Sequence, residues 1–309
     1  MNRNKFVRFS IFGLVLLIAT ACEPYNNYIK DFGYSAVYFG TQKPLRTLVA
    51  RDNKSTLDFK LGVVLSGVLE NKQNQWVKIE IDTTLFSTIA GADVFELLPE
   101  EWYNFDIEEN KIIIPKNKFL GDFTISINKE KFTNDPASLN NTYALPVRIT
   151  ETSADSILQG NEIIAGKDYT MLVVKYISEH SGVYYIRGEQ VELDANGNEI
   201  VSTKVEYYKQ DWSQNKVRNF ETVGVTSCEM NGVGNNDNQK MILKFSPENQ
   251  ISLESSTLTI NGFSSTYDKA QSAYNFQYTY DLTGKTFKVN EYLKHRNDPE
   301  KDLRFEEWN

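Results

Sequence analysis

The sequence predicts an all-β protein built from two modules, and three observations carry that prediction. From about residue 34 onward, short alternating or β-branched runs are broken by Gly, Asn, Asp and Pro, which is the period and punctuation of strands and turns. The length, 309 residues, is twice the ~150 residues that one domain commonly uses. A polar stretch, Ser178-Glu179-His180-Ser181-Gly182, then interrupts the pattern near the middle and reads as a boundary. Hydrophobic residues make up 40% of the chain and aromatics 13%, enough to build packed cores and unlike a disordered or collagen-like chain.

The elements follow in order. Residues 1–8 carry Arg3, Lys5 and Arg8 and no acid, and the apolar run Phe9–Ala19 comes next; this is the charged region and hydrophobic region of a signal peptide. Eleven residues fall short of the ~20 needed to span a bilayer. Ala19-Thr20-Ala21-Cys22 has the small residues and cysteine of a bacterial lipobox, with Ala19 where Leu is usual. Residues 1–21 are therefore expected to be removed and Cys22 to take a lipid, and residues 22–33 form a tether. Removal takes away three cations and no anion, moving the formal charge from −8 to −11. An acidic surface excludes a general nucleic-acid binder and leaves the acyl chains as the membrane contact.

Candidate strands of the first module, residues 34–177, are Ser35–Phe39, Leu57–Leu65, Trp76–Ile81, Lys111–Ile114, Phe123–Ile127, Tyr143–Ile149 and Tyr169–Ile177. About seven short strands in roughly 145 residues match an immunoglobulin-like β-sandwich. Thr84–Ala90 is the one short helix expected. The second module, residues 182–309, begins with Gly182–Leu193 and returns at Glu199–Tyr208 through Asp194–Asn198, where Asn196-Gly197 supplies the positive φ of a tight hairpin. Val217–Ser227, Met241–Phe245, Ile251–Ile260, Tyr274–Asp281, Thr286–Tyr292 and Leu303–Glu307 complete an antiparallel barrel or sandwich.

Leu98-Pro99-Glu100-Glu101-Trp102-Tyr103, Lys111-Ile112-Ile113-Ile114-Pro115 and Tyr143-Ala144-Leu145-Pro146-Val147-Arg148-Ile149-Thr150 resemble the N-terminal immunoglobulin-like module of a Bacteroidetes lipoprotein family catalogued as a domain of unknown function. Ser181 to Gly188 and the closing Leu303-Arg304-Phe305-Glu306-Glu307-Trp308 are similar to the β-rich, lipocalin-like C-terminal module that partners it. The resemblance implies a surface lipoprotein of a polysaccharide-utilisation system, set beside an outer-membrane transport complex, in either leaflet. It identifies no site.

Catalytic constellations are missing from the pattern. His180 and His295 stand apart and read as linker and surface residues, and Cys228 lacks a paired zinc-ligand spacing. Ser126–Lys129 and Ser213–Lys216 have no companion acylation motifs. In Gly160–Asp168, five residues separate the glycines and Asp168 replaces the magnesium-binding hydroxyl of a phosphate loop. Asp194–Glu199 starts as a calcium loop but has Glu199 where Gly is needed. Adjacent acids such as Glu100-Glu101 point to opposite faces of a strand, so a glycosidase pair would need acids from distant strands. No catalytic residue, metal or cofactor is expected.

Sugar binding needs an aromatic face beside planar polar groups. Tyr274-Asn275-Phe276-Gln277-Tyr278-Thr279-Tyr280 alternates strictly, and its aromatics are expected to fill the core, which is what a half-buried strand requires. The better candidate is the segment that breaks the pattern, where Trp212 stands with Tyr208, Asp211, Asn215 and Arg218. The leading expectation is a non-catalytic glycan-binding accessory protein. The alternatives are an interaction protein docking onto a transport complex without sugar, and a glycoside hydrolase.

Overall fold

The computed structural model describes residues 31–50, 54–161, 163–246, 250–255, 257–296 and 306–308. The signal segment, Cys22 and most of the tether lie outside the described residues. Strands account for 56% and helices for 10% of the chain, so the fold is all-β.

Two sheets build the first half. One orders β10 (Ser156–Ile157), β1 (Ala36–Phe39), β3 (Thr56–Ser66), β8 (Leu120–Asn128) and β6 (Tyr103–Phe105). The other orders β21 (Glu306–Glu307), β2 (Pro44–Ala50), β11 (Tyr169–Ser178), β9 (Tyr143–Thr152), β4 (Gln75–Ile81) and β7 (Lys111–Ile114), with β5 (Glu96–Leu97) paired to β9. Alternation decides which face is buried: β3 turns Leu57, Phe59, Leu61, Val63 and Leu65 inward and leaves Asp58 and Lys60 in solvent. These meet Val77, Ile79, Leu145, Val147, Ile149, Leu172 and Val174 of the facing sheet in one core. Trp102 packs on it, edge-on to Tyr143 at 5.4 Å. This is the expected immunoglobulin-like sandwich.

The second half is one curled, nearly closed sheet. Its order is β17 (Ile251–Glu254), β16 (Asn236–Phe245), β15 (Ser227–Val233), β14 (Val217–Gly224), β12 (Gly182–Leu193), β20 (Lys285–His295), β19 (Ala273–Leu282) and β18 (Thr259–Asp268), with β13 (Val205–Tyr207) paired to β12. Tyr274, Phe276, Tyr278 and Tyr280 of β19 are buried inside it, as the strict alternation predicts. Cys228 is buried among the same residues and has no disulfide partner among the described residues; burial pushes its thiol up to about 12.

Several elements differ from expectation for local reasons. Val217–Ser227 is two strands, because the chain turns between Gly224 and Ser227. Ile251–Ile260 is likewise divided between β17 and β18. Of Glu199–Tyr208 three residues remain strand, since Val201–Thr203 forms a 3-10 turn. The helix Lys129–Asn134 is additional, capped by the Asn128 carbonyl accepting from Lys131 N at 2.9 Å. Strand β2 is also additional, and pairs in parallel with β11. The closing strand does not finish the barrel: Glu306–Glu307 pair with Pro44–Leu45 of the sandwich. Trp308 behind them is buried, its indole N–H donating to the Met171 carbonyl at 2.8 Å.

Neither histidine is a solvated surface residue. His180 stacks on Phe245 with ring centroids 4.0 Å apart, and its Nδ1 lies 2.6 Å from the Tyr274 hydroxyl. His295 packs edge-on to Tyr184 at 4.5 Å. The connection from β11 to β12 is short and the Ser178 amide donates to Thr222 Oγ1 at 2.9 Å, which draws the linker against the barrel.

Candidate functional site

The site is built by the loop that joins β13 to β14. Asp211 accepts from the Ser213 amide at 2.9 Å and so caps the 3-10 turn Trp212–Gln214. Asn215 is 8% exposed and closes the loop with its side-chain amide. Its Oδ1 accepts from Lys209 N at 2.8 Å, while Nδ2 donates to the carbonyls of Asp211 at 2.7 Å and Lys209 at 3.1 Å. A folded-back loop of this kind lays its tryptophan on the barrel wall instead of releasing it to solvent.

The wall beneath is the outer face of three strands. Tyr185, Arg187 and Glu189 alternate with inward residues of β12, and Asn290, Tyr292 and Lys294 do so on β20. Trp212 rests near Tyr292 and Tyr185, with centroids at 5.8 and 6.4 Å. The Arg187 guanidinium lies 3.4 Å from the centre of the Trp212 ring and 4.6 Å from that of Tyr208, and its Nη2 donates to the Gln210 carbonyl at 2.6 Å. Lys294 Nζ is 5.5 Å from the indole centre. Between the loop and the wall lies a cleft of about 710 Å³ whose lining includes Tyr208, Trp212, Arg187, Asn275, Gln277 and Asn290. That size suits a small ligand.

Of the five residues expected to bind ligand, the structure brings Tyr208 and Trp212 into the cleft. Asp211 and Asn215 shape the loop. Arg218 is elsewhere: it is 2% exposed inside the barrel, donating to Asp237 Oδ1 and to the Gly234 carbonyl, each at 2.7 Å. Its place was legible, because Arg218 shares the inward face of β14 with Phe220. A Cβ on Gly232 would meet its guanidinium carbon at 2.3 Å, so that position requires glycine. Asn275 and Gln277 are cleft residues not singled out from the sequence. The signal was the polar half of the same alternation that buries the aromatics of β19.

Two distant acids do come together. Glu189 and Glu206 are cross-strand partners, and Lys204 Nζ binds both, at 2.7 and 3.1 Å. Those contacts, with Asn290 donating to Glu189 Oε1 at 3.1 Å, hold the Glu189 carboxyl below the usual range. A third acid, Glu291, is buried, and burial pushes its carboxyl up. Both its oxygens are engaged, by Tyr207 at 2.8 Å and Tyr278 at 3.0 Å. The cleft thus combines aromatic rings, side-chain amides and paired charges in one lining. Among the described residues no group of three or more His, Cys, Asp or Glu is placed to hold a metal ion.

Comparison with known proteins yields the same fold. A family model described as a "-like, N-terminal domain" matches residues 28–156. A crystal structure from Bacteroides ovatus, of unknown function, is 19% identical over 86% of this chain and 96% of its own, with a TM-score of 0.70. A Bacteroides ovatus multidomain protein including DUF1735 is 14% identical, covering 89% of this chain and 100% of its own at a TM-score of 0.44. An auxiliary nutrient binding protein from Bacteroides thetaiotaomicron is 14% identical, covering 81% of this chain and 89% of its own at a TM-score of 0.39. No curated protein matches the sequence.

Proposed function

We propose that this chain is a non-catalytic glycan-binding accessory protein that holds sugar in the barrel-wall cleft. The observation that carries the reading is the cleft's composition, in which Trp212 and Tyr208 share the lining with the side-chain amides of Asn275, Gln277 and Asn290. Aromatic rings offer a surface to the C–H face of a pyranose, and planar amides donate to and accept from its hydroxyls. Docking onto a transport complex without sugar would favour a broad flat apolar patch, whereas these aromatics line a cleft. A glycosidase needs one carboxylic acid held protonated at the scissile bond. Here the acid pushed up, Glu291, has both oxygens occupied by tyrosine hydroxyls.

The proposal includes the setting. Lipid on Cys22 would hold the protein at the outer membrane of a Bacteroidetes cell, within a polysaccharide-utilisation system and beside its transporter. The sandwich would serve as spacer, with the barrel presenting the cleft. Affinity electrophoresis through a panel of polysaccharides tests the binding role: at least one glycan should retard the protein. Trp212→Ala and Gln277→Ala should each weaken that binding, the former by about tenfold or more. Free migration through every glycan, or retardation unchanged in both variants, would defeat the reading.

A further inference from the structure

The cleft's charges are unevenly satisfied, and that unevenness points to the chemistry of its ligand. Two acids of its lining, Glu189 and Glu206, share one lysine, Lys204, and the third, Glu291, is bonded by two tyrosine hydroxyls. Arg187, the cation of that lining, and Lys294, which stands outside the lining with its Nζ 5.5 Å from the Trp212 ring centre, have no acidic partner among the described residues. Arg187 is also held in place before any ligand arrives. Tyr208 and Trp212 fix its guanidinium, Nη2 is tied to the Gln210 carbonyl, and Nε is buried without a partner. Nη1 makes no hydrogen bond among the described residues.

A positioned guanidinium with its Nη1 left unbonded is suited to a carboxylate or a sulfate, where charge-assisted hydrogen bonds are strongest. Lys294, whose Nζ is 5.5 Å from the indole centre, supplements it as a point charge without demanding one geometry. The rest of the molecule works in the opposite direction. With a formal charge of −8, its overall field repels polyanions, so an anionic group would have to be held by short-range contact in the cleft.

We infer that the cleft takes an acidic glycan, with the sugar against Tyr208 and Trp212 and its carboxylate or sulfate held by Arg187 and Lys294. The inference rests on the glycan-binding reading of the same cleft. Three probes separate the two ideas: dextran as a neutral polymer, dextran sulfate as the sulfated form of the same backbone, and polygalacturonate as a carboxylated one. Calorimetry of the full mature chain at low and high salt should show binding to one or both anionic polymers and little to dextran, weakening as salt rises. Whichever polymer binds names the anion.

Lys294→Gln changes a half-buried side chain and should weaken anionic binding by about tenfold. Arg187→Gln should weaken it further; circular dichroism shows whether that variant stays folded, and Lys294→Gln stands as the test if it does not. Equal affinity for dextran and its sulfate, preference for neutral glycans, or anionic binding unchanged in both variants would overturn the acidic-glycan assignment and leave the binding role intact. Failure to bind these probes or any neutral glycan would overturn both.

Discussion

Arg187 and Arg218 both sit on alternating strands of one barrel, and the face each occupies decides its use. Arg187 faces outward beneath Trp212, while Arg218 faces inward, 2% exposed and paired with Asp237 at 2.7 Å. Beside Arg218 the interior holds Glu291, whose carboxyl is pushed up by burial against the pull of Arg218. The sign of its effect follows from linkage. A carboxyl whose folded value exceeds its unfolded one contributes stability in full below the unfolded value, here 4.5, and loses it as pH rises through the folded value. Wild type should therefore lose stability relative to Glu291→Gln as pH climbs from below about 4.5 toward neutral. Urea denaturation of both proteins across that range measures this, and parallel curves would show that Glu291 does not titrate in the fold.

At the scale of elements, β19 shows what alternation can and cannot supply. Its pattern buries Tyr274, Phe276, Tyr278 and Tyr280 and exposes Asn275 and Gln277, all legible from period two alone. That the exposed amides become a cleft floor depends on a loop some sixty residues earlier in the chain folding over them. The path of that loop is fixed by Asn215, whose amide bonds span Lys209 to Asp211. Asn215→Ala leaves those backbone groups unpaired, and should cost about 1–3 kcal/mol. It should also weaken glycan binding although Asn215 is absent from the cleft lining. Denaturation and affinity electrophoresis of this variant check both effects; unchanged affinity would mean that the loop holds its shape without the clamp.

For the whole molecule, the two halves are joined twice. The chain passes from sandwich to barrel at 178–182, and its end returns, pairing Glu306–Glu307 with Pro44–Leu45. Trp308 fills a pocket of Leu45, Leu85, Ala92, Ala144, Met171 and Val173, with Phe95 edge-on at 4.9 Å and Lys43 4.7 Å from its ring centre. A buried aromatic of this size should cost about 3–5 kcal/mol when truncated to alanine. Trp308→Ala should lower the melting temperature of the sandwich and separate its transition from that of the barrel in calorimetry. A single unshifted transition would show that the return strand contributes nothing to the coupling.

The sequence by itself determined the all-β class, the inward aromatics of β19 and the break in alternation that carries Trp212. Each of these follows from alternation or from its interruption, which are properties of neighbouring residues. Tertiary structure alone decided that Glu306–Glu307 belong to the sandwich, that Glu189 and Glu206 share Lys204, and that Asn275 and Gln277 line one cleft with Trp212. Those depend on which distant strands become neighbours and in what register, and period-two alternation carries no information about the partner.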